Sequence, residues 1–213
     1  MVLLQTVRRQ NHWLSIAGHW LEQHSVYLPH DMRKLIFLFL AFAISDGAAQ
    51  TIYQSTSSTI TFHAGTPVED IDAVNTKSLS FLNKVSGEIN ISIPINEFHF
   101  KRPLMEEHFN ENYLESVKYP KAEFKGKIND VDKIDFTQAT SEITVTGKLT
   151  IHGVTQERTL KVTLQSSSNK IQGETKFEVI LSDHKIDRPK IMWQKIAEKV
   201  TVTAIFTYEP YKK

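Results

Sequence analysis

From residue 60 to residue 208 the chain alternates apolar and polar positions with few breaks. Successive side chains of a strand point to opposite faces, so a period of two marks a strand with one apolar face. The clearest run has Val85, Gly87, Ile89, Ile91, Ile93 and Ile95 interleaved with Ser86, Glu88, Asn90 and Ser92. A second sets Ala122, Phe124, Gly126 and Ile128 against Lys121, Glu123, Lys125 and Lys127. A third sets Ile143, Val145, Gly147, Leu149 and Ile151 against Glu142, Thr144, Thr146, Lys148 and Thr150. His152-Gly153 reads as a turn into Leu160, Val162 and Leu164, followed by Ile171 to Leu181 and then by Val200 to Tyr208. An opening strand carries Ile60, Phe62 and Ala64, and a weaker one covers Val68 to Val74. The Ser/Thr tract from Ser55 to Thr59 reads as a solvated lead-in. About eight strands result.

Four glycines, Gly87, Gly126, Gly147 and Gly173, fall on the apolar faces in mid-run. A strand glycine marks a bend or a close approach, so these favour strong coiling of one sheet over a flat sandwich. The predicted fold is all-β, an eight-stranded antiparallel barrel of lipocalin type. Eight strands leave an interior wide enough for side chains or one small ligand, and closure removes the exposed edges. Residues 103–116 break the alternation. Pro103 suits a first helical turn, Met105, Phe109 and Tyr113 repeat at a spacing of four, and Tyr119-Pro120 ends the segment. The prediction is a short helix across one barrel mouth.

Ahead of the strands, Met32-Arg33-Lys34, ten apolar residues from Leu35 to Ile44 and the tract Ser45 to Ala49 have the order of a secretory signal. As a helix the apolar stretch rises only ~15 Å, about half a bilayer core. The expected division is therefore an upstream extension over 1–31, a signal peptide over 32–49, and a barrel domain over 50–213 with no membrane span. Residues 1–49 hold four basic and three acidic side chains, which leaves residues 50–213 neutral overall. A neutral domain lacks the clustered Lys and Arg that nucleic-acid binding needs. The absence of cysteine excludes disulfides, thiolate metal sites and thiol nucleophiles.

The block Leu104 to Tyr113, followed by Lys118 to Gly126, resembles the YceI-like family of lipid- and polyisoprenoid-binding proteins. Gly147 to Thr155 is a second match and Ile186 to Val200 a third. The chain departs from many members in having Met105-Glu106-Glu107 where an Arg-Asp pair opens the helical block. The resemblance implies a periplasmic protein of a Gram-negative bacterium, with an isoprenoid, an isoprenoid quinone or another lipid-like amphiphile in an apolar tunnel. Forty ligand carbons at ~0.3 kcal/mol each would supply about 12 kcal/mol. One parity of each strand supplies the expected lining: Phe62, Ile89, Ile91, Phe124, Val145, Leu149, Val162, Phe177, Val179 and Val202. Met105, Phe109 and Tyr113 are expected to close one end.

No catalytic group is read, and no cofactor beyond the bound lipid. A Gly-x-Ser-x-Gly elbow, a phosphate loop and a dinucleotide fingerprint are all missing from the sequence. His108 with Glu106, Glu107 and Glu111 lacks metal-ligand spacing, and His63, His99 and His184 read as scattered singletons. A homodimer stays open. Two alternatives stand beside the binding reading: a small outer-membrane barrel, which shares the alternating pattern, and an enzyme using the barrel mouth.

Overall fold

The structure is a computed structural model that describes residues 51–67, 69–167, 170–188 and 196–212. The predicted extension and signal segment lie outside the described residues, as do Val68 and residues 189–195 of the third family-like stretch. Among the described residues there are ten strands: β1 (Ile52–His63), β2 (Asp72–Asn75), β3 (Leu79–Asn83), β4 (Glu88–Pro94), β5 (Phe98–Phe100), β6 (Lys121–Ile128), β7 (Thr140–Ile151), β8 (Val154–Ser167), β9 (Lys170–Ile180) and β10 (Lys199–Pro210). A helix α1 (Pro103–His108) lies between β5 and β6.

All pairings are antiparallel. They run β1–β3–β4–β6–β7–β8–β9–β10, and β10 returns to β1, which closes an eight-stranded barrel. β1 pairs with β3 through Ile52 to Gln54 and with β2 through Ile60 to His63. β2 then pairs with β5. So β2 with β3, and β5 with β4, act as two interrupted strands, broken at 76–78 and at 95–97. Pro94 cannot donate to a ladder, and the chain leaves β4 at that residue in a tight turn. These short pieces carry too few alternations to stand out, and β3 and β5 were not foreseen.

The alternation holds where one face is buried. Ala122, Phe124 and Ile128 of β6 are buried while Lys121, Lys125 and Lys127 are exposed. The same parity places Val145 and Leu149 of β7, Leu160 and Leu164 of β8, and Ala204, Phe206 and Tyr208 of β10 inside. The β7–β8 hairpin turns on His152 and Gly153, with φ of 51° and 72°. Two positive values are what a two-residue turn matching the strand twist demands.

Three expectations change. β4 starts at Glu88, so Val85 and Gly87 belong to a turn and not to a strand. Asn83 Oδ1 accepts from the amides of Val85 and Ser86 at 2.9 and 3.0 Å, and Gly87 supplies a φ of 74°. Val85 is 67% exposed as a result. The tract at Ser55 is part of β1, and Ser55 and Ser58 face inward. A bulge between Ser55 and Ser57 resets the parity. Ser55 Oγ accepts from the amide of Ser80, and Ser58 Oγ donates to the carbonyl of Ser78, both at 2.8 Å. The predicted helix over 103–116 is α-helical only to His108. It widens through a π-type turn over Phe109–Tyr113, and Glu115 then takes a φ of 44°.

Candidate functional site

Free volume inside the barrel is uneven along the axis. At the end bearing α1 lies a cavity of about 380 Å³, and toward the other end lies a smaller space of about 90 Å³. Ile60, Ile93, Leu149, Phe177 and Val202 border both, so they mark the waist between the two.

Of the lining expected from strand parity, Phe62 and Val179 face the large cavity, and Leu149, Phe177 and Val202 stand at the waist. Ile89, Ile91, Phe124, Val145 and Val162 face only the small space. Met105, Phe109 and Tyr113 border the large cavity from the helix side. The thirteen expected residues therefore share one interior but do not surround one open tunnel.

The filled half has a visible cause. Gly126 of β6 pairs with Gly147 of β7, and the ring of Phe124 lies over both. A Cβ on Gly126 would sit 2.6 Å from Phe124 Cε1, and one on Gly147 would sit 2.5 Å from Gly126 Cα. The two bare backbones accept an aromatic ring laid against the wall, where it borders the small space.

The open half is walled differently. Phe109 packs against Phe62, Phe98 and Phe100 with ring centroids 5.4, 5.6 and 5.1 Å away. These are offset or edge-on contacts of the kind aromatic quadrupoles favour. Phe98 and Phe100 were missed as lining because β5 has only three residues; the repeat Phe98-His99-Phe100 was the available signal. Also missed were Ile186 and Ile196, which border the cavity from the connection between β9 and β10.

The rim is polar. Glu69 and Arg102 form an ion pair beside the cavity, and His108 borders the same opening. Burial raises the pKa of Tyr113, which borders the cavity. Glu106 accepts from the amide of Phe100 at 3.1 Å, which fastens the first turn of α1 to β5.

His184, read as a singleton, and His152, read as part of a turn, are embedded in networks. His184 is fully buried, with Nδ1 3.1 Å from the carbonyl of Val154, and burial lowers its pKa. His152 places Nε2 2.8 Å from Glu115 and Nδ1 3.2 Å from the carbonyl of His184. Its ring meets Tyr119 edge-on at 4.5 Å. These contacts tie together the β7–β8 turn, the segment after the helix, and the start of the β9–β10 connection. Leu114 and Ile151, next to Glu115 and His152 in sequence, and Leu181, whose carbonyl accepts from the His184 amide, border the cavity. His63 meets Asp70 and Asp72, a cluster taken up below.

The chemistry of the site is that of an apolar container with a charged lip. Burying apolar surface there is worth ~25 cal/mol per Å², and the few polar groups at the opening can orient an amphiphile.

Comparison with known proteins agrees with this architecture. The model of the YceI-like domain matches residues 51–208. A polyisoprenoid-binding domain from Saccharophagus degradans, described as implicated in plant cell wall breakdown, superposes with a TM-score of 0.65 at 15% identity. That match covers 75% of this chain and 98% of the other. BcnA of Burkholderia cenocepacia gives 0.61 at 16% identity, covering 70% and 95%. A YceI protein of Campylobacter jejuni gives 0.51 at 19% identity, covering 64% and 81%. No protein of curated function matches the sequence. With closed barrel, mouth helix and family model in agreement over residues 51–208, the chain belongs to the YceI-like family.

Proposed function

We propose that the protein is an exported binding protein that holds the chain of an isoprenoid or similar lipid in the large cavity, with its head group at the rim of Glu69, Arg102 and His108. The observation that carries this reading is the 380 Å³ apolar cavity beneath α1, which lies in the size range of small-molecule sites. The description of the Saccharophagus domain as polyisoprenoid-binding makes isoprenoids the first class to test. No catalytic group takes part.

The volume limits the ligand. A water molecule's share of the liquid is ~30 Å³, and a methylene needs about as much. The cavity then accepts about a dozen carbons, well short of forty. At ~0.8 kcal/mol per buried methylene this is a gross gain of about 10 kcal/mol before the cost of association. A longer chain would leave part of its length outside the mouth.

The outward faces favour this reading over a membrane barrel. Lys125, Lys127, Lys148, Glu157, Lys161 and Glu174 line the outside, where a membrane barrel carries an apolar band.

The test is native mass spectrometry of protein isolated from the periplasm, followed by delipidation and titration with farnesol, a fifteen-carbon isoprenoid alcohol. The expected result is one bound amphiphile per chain and saturable farnesol uptake. Protein that carries no small molecule and takes up no farnesol would overturn the proposal. The same sample tests export, since the signal reading places the mature N-terminus near Gln50, and an intact mass that retains residues 1–49 would refute it.

A further inference from the structure

We propose that His63, Asp70 and Asp72 bind a divalent transition-metal ion, with zinc as the type case, at the base of the loop that walls the cavity mouth. His63 ends β1 and Asp72 opens β2, and the strand register sets them opposite each other. Asp70 approaches from the connecting loop. His63 Nδ1 lies 2.8 Å from Asp72 Oδ1 and 3.4 Å from Asp70 Oδ1, and the three donor atoms fall within 4.8 Å of one another.

The distances suit a tetrahedral ion. With zinc ~2.1 Å from each nitrogen and oxygen, neighbouring ligand atoms stand about 3.4 Å apart. The Nδ1–Asp70 separation already has that value. The Asp72 oxygen needs to withdraw from 2.8 Å to the same distance, a shift within reach of a side-chain rotation. Three protein ligands leave a fourth position for water, and the exposure of the cluster gives an ion access.

An ion pair alone accounts for less of this arrangement. One ring N–H can point to only one carboxylate. A second carboxylate drawn to the same nitrogen adds like-charge repulsion that a cation would remove. The loop is also built to allow the approach. A Cβ on Gly65 would sit 2.7 Å from His63 Cε1 and 3.1 Å from Asp70 Oδ1. Glycine leaves room for the ring to lie against the chain while Asp70 reaches it.

The donor set discriminates among ions. One imidazole nitrogen with two carboxylate oxygens suits zinc and its transition-metal neighbours, whereas calcium and magnesium prefer all-oxygen ligation. Coordination would fasten together the two ends of the segment between β1 and β2. Ala64, Glu69 and Ile71 of that segment border the large cavity. An ion would therefore hold one wall of the mouth in place; this consequence rests on the proposed lipid site, while ion uptake itself does not.

The test uses full-length protein, delipidated, stripped with chelator and titrated with zinc alone by calorimetry. The parent is expected to bind one equivalent more than His63→Ala. Histidines elsewhere in the chain cancel in that difference. Asp72→Asn keeps the side-chain shape and should weaken the same equivalent at least tenfold, and a tenfold excess of calcium should not displace it. Circular dichroism of both variants checks that the barrel is intact. Equal zinc uptake by the parent and both variants, or displacement by calcium, would overturn the proposal. Zinc uptake that is lost with His63 in a protein that binds no farnesol would leave the metal site standing and remove only the lipid reading.

Discussion

Ala122→Leu separates a real cavity from a packed core. Ala122 is 5% exposed, stands opposite Ile93 in the sheet register, and borders the large cavity. Leucine adds three carbons at that point. At ~30 Å³ each they take up about 90 Å³, roughly a quarter of the 380 Å³ available. In the ligand-free protein these carbons enter empty apolar space, so at ~0.8 kcal/mol each they should stabilise the fold by up to about 2 kcal/mol. In the bound state they displace about three ligand carbons, and farnesol binding should weaken by about 2 kcal/mol, roughly thirtyfold. Stability and affinity thus move in opposite directions, a signature that general damage to the fold does not produce. Val145→Phe is the matched control. Val145 faces only the small space, where extra volume should cost 1–3 kcal/mol of stability with little effect on binding. Urea unfolding of the ligand-free forms gives the first quantity, and calorimetric titration with farnesol gives the second. A destabilised Ala122→Leu that binds farnesol as well as the parent would refute both the location of the ligand and the openness of this half.

Gly147→Ala should destabilise more than Gly126→Ala in urea unfolding, because a Cβ on Gly147 meets backbone at 2.5 Å whereas one on Gly126 meets the movable ring of Phe124 at 2.6 Å; equal costs would refute the wall-and-ring account. Ser80 Oγ and the Tyr208 hydroxyl are 2.8 Å apart and both buried, so Tyr208→Phe should cost about 1–3 kcal/mol by leaving Ser80 without its partner, while adding Ser80→Ala should recover much of that loss. Additive losses in the double variant would count against the bond. His184 gives a pH dependence: burial lowers its folded pKa, with Arg158 adding to the effect and the Val154 hydrogen bond opposing it. Between that lowered value and the unfolded value of about 6.5 the unfolded chain binds more protons, so stability should fall as pH drops below about 6.5. Urea midpoints at pH 7.5 and 5.5 should therefore converge in His184→Gln, and an unchanged pH response would remove His184 as its source.

What could be read from the sequence was set by how local its cause is. β6, β7, β9 and β10 were legible because a strand with one buried face repeats its reason every second residue. β3 and β5 were not, since five and three residues give alternation too little length. The inward Ser55 and Ser58 were misread for a different reason. Their partners, Ser80 and Ser78, lie 25 and 20 residues away, so nothing nearby in sequence marks them as satisfied.

The site divides along the same line. Parity named side chains that face the interior, but space depends on what meets across the sheet. Gly126 and Gly147 are 21 positions apart, and only their pairing across β6 and β7 makes a bed for Phe124. That ring is one of the side chains packed in one half of the barrel, while the larger volume lies under α1, where Phe98 and Phe100 join Phe62 and Phe109. His63 follows the same logic: the β1–β2 register and the missing Cβ of Gly65 bring it to two carboxylates that no spacing rule would have joined. Strand pairing, which fixes neighbours far apart in sequence, is thus the step at which a list of apolar residues becomes a cavity with one open end.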